Sequence, residues 1–504
     1  MKKMNSKSQT SQAGIRKSRN LAYVGLPIVL SACSMFSQPQ LVNTSAPVKW
    51  FNWSAGSSSA KPNKMASENS ATTLIAHQGS LTDLQQWWSS LKDPFLLELI
   101  TEAQKISPNV AMAKTRIEQA RAQQTFSQAA VIPNLAGSLG VSRARTDPTL
   151  PVANMLSGSL QASWEVDLWG SLSLGKNAAS KRLQGSQASW HEARVSVAAE
   201  VASVYYNLIN CERLANSSSM QVQSFKESQK LNDLLVKNGF MSQTQSSYAV
   251  LALSQSENNL AQLNAQCRSL KNALFALTGL SEEKLSNISV HSTTSQFPSS
   301  VMMPVVPQVP AQLLAQRPDV WAAENEVAAA SAEVGQANRQ YLPRLGLSGS
   351  VTAIRANSSD LTTNLKTWSV GPLAFTMPIF EGGKIAAQQQ VATAQYDQAV
   401  VVYQAKVRQA VQETQDALSQ LQATDEQAQS ALSGFKAASQ ILKSAELQLK
   451  QGMLSGLQLE EAKRQMLSSK MALQTAELNR MNAWIGLYRV LGGGWNNTNN
   501  INSN

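Results

Sequence analysis

The stretch Leu156-Ser157-Gly158-Ser159-Leu160-Gln161-Ala162-Ser163-Trp164-Glu165-Val166-Asp167-Leu168 alternates without a break. Even positions carry Leu, Gly, Ala, Trp and Val, and odd positions carry Ser, Gln, Glu and Asp. A period of two is the pattern of a strand with one apolar and one polar face. A partner run spans about Leu135 to Thr146, with Leu135, Leu139 and Val141 on one parity, and Asp147-Pro148-Thr149-Leu150-Pro151 joins the two. The pattern recurs downstream in Leu345, Leu347 and Val351 and again from Trp368 to Phe380. Each run is at least as long as the roughly 9 to 11 residues that a tilted strand needs to cross a bilayer.

The recurrence extends well beyond the strands. Lys237-Asn238-Gly239-Phe240-Met241-Ser242 matches Lys450-Gln451-Gly452-Met453-Leu454-Ser455, and Leu277-Thr278-Gly279 matches Val490-Leu491-Gly492. Gly239 and Gly452 are separated by the same 213 residues as Gly279 and Gly492, and Pro133-Asn134-Leu135 answers Pro343-Arg344-Leu345 at a slightly shorter spacing. Such a long period marks two copies of one module. The expected organisation is a first repeat at 81–297, a linker at 298–312, a second repeat at 313–495 and a tail at 496–504.

No proline interrupts Ser171 to Phe297 or Ile379 to Asn504, so long helices are expected after the second strand of each copy. Val201, Leu208, Ala215 and Val222 recur every seven residues, as do Leu421, Ala428, Phe435, Leu442 and Leu449, which is coiled-coil spacing. The first long helix is expected over about Ser171 to Lys237, roughly 100 Å at 1.5 Å per residue. Shorter helices over about Pro94 to Val131 and Ser242 to Leu277 sum to a similar length. Four strands cannot close a barrel, and an open sheet edge in lipid leaves backbone groups unsatisfied. Several chains must therefore share one barrel.

Composition excludes several classes. Of 504 residues 43% are hydrophobic and 15% charged, with three His and three Cys. Metal ligands are thus scarce, and no apolar run of bilayer-spanning length follows the N-terminus. The net charge of +11 owes much to Lys2, Lys3, Lys7, Arg16, Lys17 and Arg19; removing these six from 43 basic residues leaves 37 against 32 acids. So small an excess over so long a chain does not suggest nucleic-acid binding. His77, His191 and His291 are scattered, no nucleophile–base constellation is visible, and neither catalysis nor a cofactor is expected.

Residues 1–32 read as a signal peptide, with a basic segment to Asn20 and an apolar stretch from Leu21 to Leu30 that is too short to span a bilayer. Leu30-Ser31-Ala32-Cys33 resembles the lipobox of bacterial lipoproteins, which implies a covalent lipid on Cys33. Ser34 stands in place of the Asp that by the lipoprotein rule retains such chains in the inner membrane, so the resemblance implies the outer membrane. Residues 33–80 then form a Ser- and Asn-rich tether.

Five further motifs carry a resemblance: Trp87-Trp88-Ser89-Ser90-Leu91-Lys92-Asp93-Pro94-Phe95-Leu96, Ser163-Trp164-Glu165-Val166-Asp167-Leu168-Trp169-Gly170, Gln316-Arg317-Pro318-Asp319-Val320, Pro378-Ile379-Phe380-Glu381-Gly382-Gly383 and Leu491-Gly492-Gly493-Gly494-Trp495. With the duplication and the lipobox, they resemble the outer membrane efflux lipoproteins of the TolC/OprM type. The resemblance implies a mixed, mostly α fold: a homotrimer in which duplicated coiled-coil helices form a tunnel through the periplasm and each chain gives four strands to a twelve-stranded β-barrel. It implies a passive export duct serving an inner-membrane RND transporter through a periplasmic adaptor, expelling drugs or other small toxic molecules from a Gram-negative cell. Channels for metal cations or for type I protein secretion are alternatives within the class, and a surface stalk lipoprotein is one outside it.

Three sets of residues follow. By resemblance, acidic side chains after the turns ring the tunnel mouth. Glu461 matches one such position, while Gln458 and Gln245 stand where relatives often carry Asp. The turns expose Gly239, Phe240, Met241 and Ser242 in the first copy and Gly452, Met453, Leu454 and Ser455 in the second, an apolar surface suited to the adaptor's hairpin tip. Cys211 and Cys267 lie equally far on either side of Gly239, so antiparallel helices rising from that turn bring them level. Helix rotation decides between a disulfide in the oxidising periplasm and two separate small apolar residues. Trp164 and Trp169 are candidates either for membrane-interface anchors or for simple packing.

Overall fold

The computed structural model describes Trp88, Leu91, Asp93 to Arg145, Val152 to Ser281, Lys284, Arg317 to Ser358 and Thr362 to Gly494. The elements in order are α1 (Pro94–Ile106), α2 (Pro108–Ala129), β1 (Asn134–Ala144), β2 (Ala153–Val166), α3 (Ser171–Lys237), α4 (Gln243–Thr278), α5 (Pro318–Asn338), β3 (Arg344–Asn357), β4 (Thr362–Thr376), α6 (Lys384–Lys450) and α7 (Gly456–Val490), with 3-10 turns at Arg339–Tyr341 and Gly492–Gly494. The helix–strand–strand–helix–helix order therefore occurs twice. The β1–β2 loop, the 298–312 linker, the N-terminal signal and tether, and Cys33 lie outside the described residues.

Two sequence expectations need correction. The single helix over Pro94 to Val131 is two helices, because Ser107 takes ψ 122° and Pro108 has no N–H to continue the ladder. The last strand runs from Thr362 to Thr376, not from Trp368 to Phe380; Thr362 pairs with Asn357, and Pro378 lies past the strand's end.

The chain divides into two compact units, each drawing on both repeats. The first includes Ala120–Leu183 and Asn325–Val401. It holds one antiparallel sheet of order β1-β2-β3-β4. Directly opposed residues share a face, so the register sorts the side chains. One face carries Leu139, Val141, Leu156, Leu160, Leu347, Val351, Trp368 and Leu373; the other carries Ser138, Ser159, Thr352 and Thr367 at one level and Gln161, Ser350 and Ser369 at the next. A register shift between Leu347 and Gly349 brings Val370 opposite Gly349 and keeps the apolar face continuous. Beside the sheet, Ala178 of α3 packs on Ala329 and Ala332 of α5, and Arg182 bridges Glu326 and Glu333.

The second unit includes the described residues of Asn43–Gln119, Gln184–Glu324 and Val402–Asn504. Its core gathers Leu96, Leu99 and Ala103 of α1, Val201, Ala202, Tyr205, Leu208 and Ile209 of α3, Leu274 of α4, and Met481, Trp484, Ile485 and Tyr488 of α7. Val201, Tyr205, Leu208 and Cys211 follow the three-and-four spacing of a coiled-coil seam. In α6 the heptad positions Leu421, Phe435, Leu442 and Leu449 are half-buried, while the alternating Thr424, Ala438 and Ala445 are buried. Small side chains on the seam let helices approach closely. Asp93 caps α1 by accepting from the Phe95 and Leu96 amides, both at 3.1 Å, and Tyr205 donates to its other oxygen at 2.8 Å. Burial, with Asp93 beside it, raises the Tyr205 phenol well above its ordinary range, so it remains a neutral donor.

Candidate functional site: sheet faces and hairpin tips

In the sheet, hydroxyls bond to one another across strands: Ser138 Oγ lies 2.8 Å from Ser159 Oγ, and Ser350 Oγ lies 2.9 Å from Ser369 Oγ. The polar face is uncharged from Ser163 along β2 to Met155, and its only ionisable strand residues, Glu165 and Arg344, sit at the end nearest α2 and α5. Among the described residues, neither edge strand of the sheet, β1 or β4, has a further strand partner. The indole N–H of Trp164 donates to the Val131 carbonyl at 3.0 Å and that of Trp169 to Pro343 at 2.6 Å. Both tryptophans therefore tie strands to the segments entering them.

Asp167 fixes the passage from β2 into α3. Its carboxylate accepts from the Leu172 and Ser173 amides at 3.0 and 2.8 Å and from Ser173 Oγ at 2.5 Å. Burial raises its pKa, but these hydrogen bonds outweigh burial and hold the carboxyl below its ordinary range.

The two turns are built alike. At the end of α3, Gly239 takes φ +79°, its amide reaches Val236 O at 3.0 Å and the Phe240 amide reaches Leu235 O at 2.8 Å. At the end of α6, Gly452 takes φ +72°, with bonds to Leu449 O at 3.0 Å and from Met453 to Gln448 O at 2.9 Å. Both are Schellman caps, in which glycine supplies the left-handed residue. Ser242 and Ser455 then cap α4 and α7. Phe240 and Met453, at equivalent places, are 80% and 67% exposed. Met241 and Leu454, expected to be exposed, are instead half-buried, and Met241 lines a cleft between helices.

That cleft, of about 420 Å³, brings together Gln245, Gln458 and Glu461 with Phe225, Ser228, Tyr248 and Arg464. Gln458 belongs to a capping box: its side chain accepts from the Ser455 amide at 3.0 Å while its own amide donates to Ser455 Oγ at 3.3 Å. Glu461 accepts from Arg464 at 2.6 Å and is 69% exposed, whereas Arg464 is 14% exposed. Arg464 also donates to Ser228 Oγ at 2.7 Å and Ser224 Oγ at 3.3 Å, and its guanidinium lies 4.6 Å from the centre of the Phe225 ring. The neighbouring Glu460 is buried against Lys463. Sequence reading missed this arginine's role, although Glu461 and Arg464 have the helix spacing for an ion pair; the Ser-x-x-Gln pattern likewise announces the capping box. Ser224, Phe225 and Ser228 come from the other repeat and carry no local signal.

Further along the first hairpin, the Cys211 and Cys267 Sγ atoms are 2.01 Å apart and their Cα atoms 5.6 Å apart, joining α3 to α4. Burial, with Arg194 beside it, pushes the His191 imidazole down to about 4, so it is neutral near pH 7. No group of three metal-ligating side chains occurs among the described residues.

A sheet apolar on one face, hydroxyl-lined on the other and open at both edges, carried by paired helical hairpins, defines a channel subunit that needs copies of itself. The chain belongs to the outer membrane efflux protein family, whose model matches residues 99–280 and 309–493. It is a subunit of an outer membrane efflux channel. Outer membrane protein OprJ of Pseudomonas aeruginosa is 27% identical over 480 residues, covering 93% of this chain and 95% of the relative. Pyoverdine export outer membrane protein OpmQ of Pseudomonas putida is 24% identical over 491 residues, covering 95% and 98%. In the crystal structure of the Campylobacter jejuni CmeC outer membrane channel, 23% identical, the same fold recurs with a TM-score of 0.72 over 91% of this chain and 95% of that one.

Proposed function

We propose that three copies of this chain close one twelve-stranded barrel and one helical tunnel, and that the assembly is the passive outer membrane duct of a tripartite RND-type pump. The observation that carries this reading is the four-stranded sheet with two chemically opposed faces and two open edges. Twelve strands from three chains leave no edge in lipid. The apolar face turns to the acyl chains and the hydroxyl face lines the lumen. Among described strand residues, the lumen offers one thioether, Met155, and no imidazole or thiol, a poor ladder for soft metal cations. In this reading the cargo is drugs or other small toxic organic molecules, delivered by an inner-membrane transporter through a periplasmic adaptor.

Phe240 and Met453 are the adaptor contacts in this reading, since large exposed apolar side chains on capped turns are costly in water without a partner. Phe240→Asp combined with Met453→Asp leaves both Schellman caps intact. In a strain lacking its own duct, drug susceptibility should remain at the deletion level although the variant inserts normally; full resistance would count against docking at these turns.

Glu461, beside Gln458 and Gln245, sets the charge at the tunnel mouth, with Arg464 tethering it to α3 through Ser224 and Ser228. Three copies of Glu461 favour cations. The Glu461→Gln variant should show reduced cation selectivity in a salt gradient, and an unchanged reversal potential would remove Glu461 from the gate. Acylation of Cys33 anchors the chain to the outer membrane. Cys33→Ala should abolish labelling by radioactive palmitate, and persisting label would refute this site.

A further inference from the structure

The apolar face of the sheet ends in a row of basic side chains. Along β3 the residues on this face run Leu345, Leu347, Gly349, Val351, Ala353 and then Arg355. From Leu345 to Ala353 is about 26 Å at 3.3 Å per residue. At a tilt of 35–45° that is roughly 20 Å of depth, close to the roughly 25 Å apolar band of a barrel of this kind. Arg355 is the next residue outward. Its neighbours on the same face are Asn364 on β4 and Leu156 on β2. One level further lie Asn154 and Asn357, with Arg143 on β1 opposite Asn154. Lys366 sits level with Ala353 on the same face. The basic groups thus run diagonally from Lys366 through Arg355 to Arg143, and all three are exposed.

Among the described strand residues this face carries no counter-charge. The four strands contain one carboxylate, Glu165, which belongs to the polar face at the opposite end. The basic row lies toward the β1–β2 and β3–β4 loops, away from α2 and α5, and so faces the cell exterior if the helices occupy the periplasm. Lys and Arg at the edge of an apolar belt extend their charged ends to headgroup depth.

We propose that Arg143, Arg355 and Lys366 form a binding belt on the outside of the barrel for the phosphate groups of outer-leaflet lipid, the phosphorylated glycolipid headgroup of a Gram-negative outer membrane. Charge complementarity and depth select this occupant: a face of cations with no acid, at the level where the apolar band stops, meets an anionic headgroup whose acyl chains cover the Leu, Val and Trp side chains beneath. Guanidinium groups bind phosphate bidentately, and cations near an anionic surface are drawn to it. The proposal rests on the duct reading for its inside-to-outside orientation.

The test uses the full-length trimer in phosphatidylcholine nanodiscs containing bisphosphorylated lipid A, with retained lipid A counted by native mass spectrometry. The triple variant Arg143→Gln, Arg355→Gln and Lys366→Gln should lose at least tenfold in lipid A retention. The charge-preserving variant Arg143→Lys, Arg355→Lys and Lys366→Arg should retain most of it. Lipid A stripped of both phosphates should bind wild type as weakly as intact lipid A binds the glutamine variant. Equal retention by wild type and the glutamine variant, or equal retention of stripped and intact lipid A, would overturn the belt. Planar-bilayer conductance of the same preparations tests the other reading separately: conducting trimers with unaltered lipid retention defeat the belt alone, and silent wild-type trimers defeat the duct.

Discussion

Leu160→Arg is expected to abolish insertion into the outer membrane, while Ser159→Arg, one residue away, is expected to insert. Leu160 is exposed on the apolar face, level with Gly137 and Val351, one level outward from Gly349 at the centre of the band. An arginine on the lipid face of a barrel costs about 2–4 kcal/mol at the midplane and less toward the interfaces, and threefold symmetry repeats that cost in every subunit, for up to roughly 6–12 kcal/mol per trimer. Ser159 belongs to the hydroxyl face, where its Oγ meets Ser138. An arginine there faces water in the lumen and forfeits one exposed hydrogen bond, about 1 kcal/mol. Membrane fractionation, with heat-resistant trimers read on gels, distinguishes the two. Normal insertion of Leu160→Arg, or loss of Ser159→Arg alone, would mean that the faces are assigned the wrong way round.

Removing the cross-link of the first hairpin should have the next largest effect. Cys211 and Cys267 are buried, joined, and 56 residues apart in sequence. Closing a loop of that length removes entropy from the unfolded chain worth about 4 kcal/mol, an upper figure because α3 and α4 also restrain each other by packing. The bond closes the hairpin that ends in Gly239, so its loss should loosen the first turn before the second. Cys211→Ser with Cys267→Ser is expected to lower the denaturant midpoint by an amount equivalent to about 2–4 kcal/mol, and reduced wild type should behave like the variant. Matching midpoints for oxidised wild type and the double variant, or freely alkylated Cys211 and Cys267 in unreduced protein, would contradict this.

The parts of the fold that local chemistry dictates were legible in the sequence. Proline-free stretches interrupted by the turns at Gly239 and Gly452 set the long helices, and the ends before those turns agree with α3 at Lys237 and α6 at Lys450. The alternation from Leu156 to Val166 is β2. Pro108 is equally visible, but the pattern on either side of it reads as one helix unless the missing N–H is counted as a break. The last strand reads too far toward the C-terminus because Thr362, Thr363 and Thr367 lie outside an apolar alternation while Phe375 and Phe380 invite one. The equidistance of the cysteines from Gly239 located their level without deciding their contact, which depends on helix rotation. The cleft was the least legible part. Gln245, Gln458 and Glu461 follow from position after the turns, yet what Glu461 does depends on Arg464, and Arg464 is held by Ser224 and Ser228 of the other repeat, 240 and 236 residues away. Likewise Met241 reads as a tip residue until residues of α7 complete the cleft that it lines.

The central claim is that copies of this chain enclose a water-filled path across a membrane. Reconstituting the purified wild-type trimer into a planar lipid bilayer and recording current under a fixed voltage tests it most directly. Discrete, uniform conductance steps, altered in size when Ser159→Arg narrows the hydroxyl-lined face, are the predicted result. A trimer that is inserted and protease-protected but passes no current at any voltage, with wild type and Ser159→Arg equally silent, would contradict it.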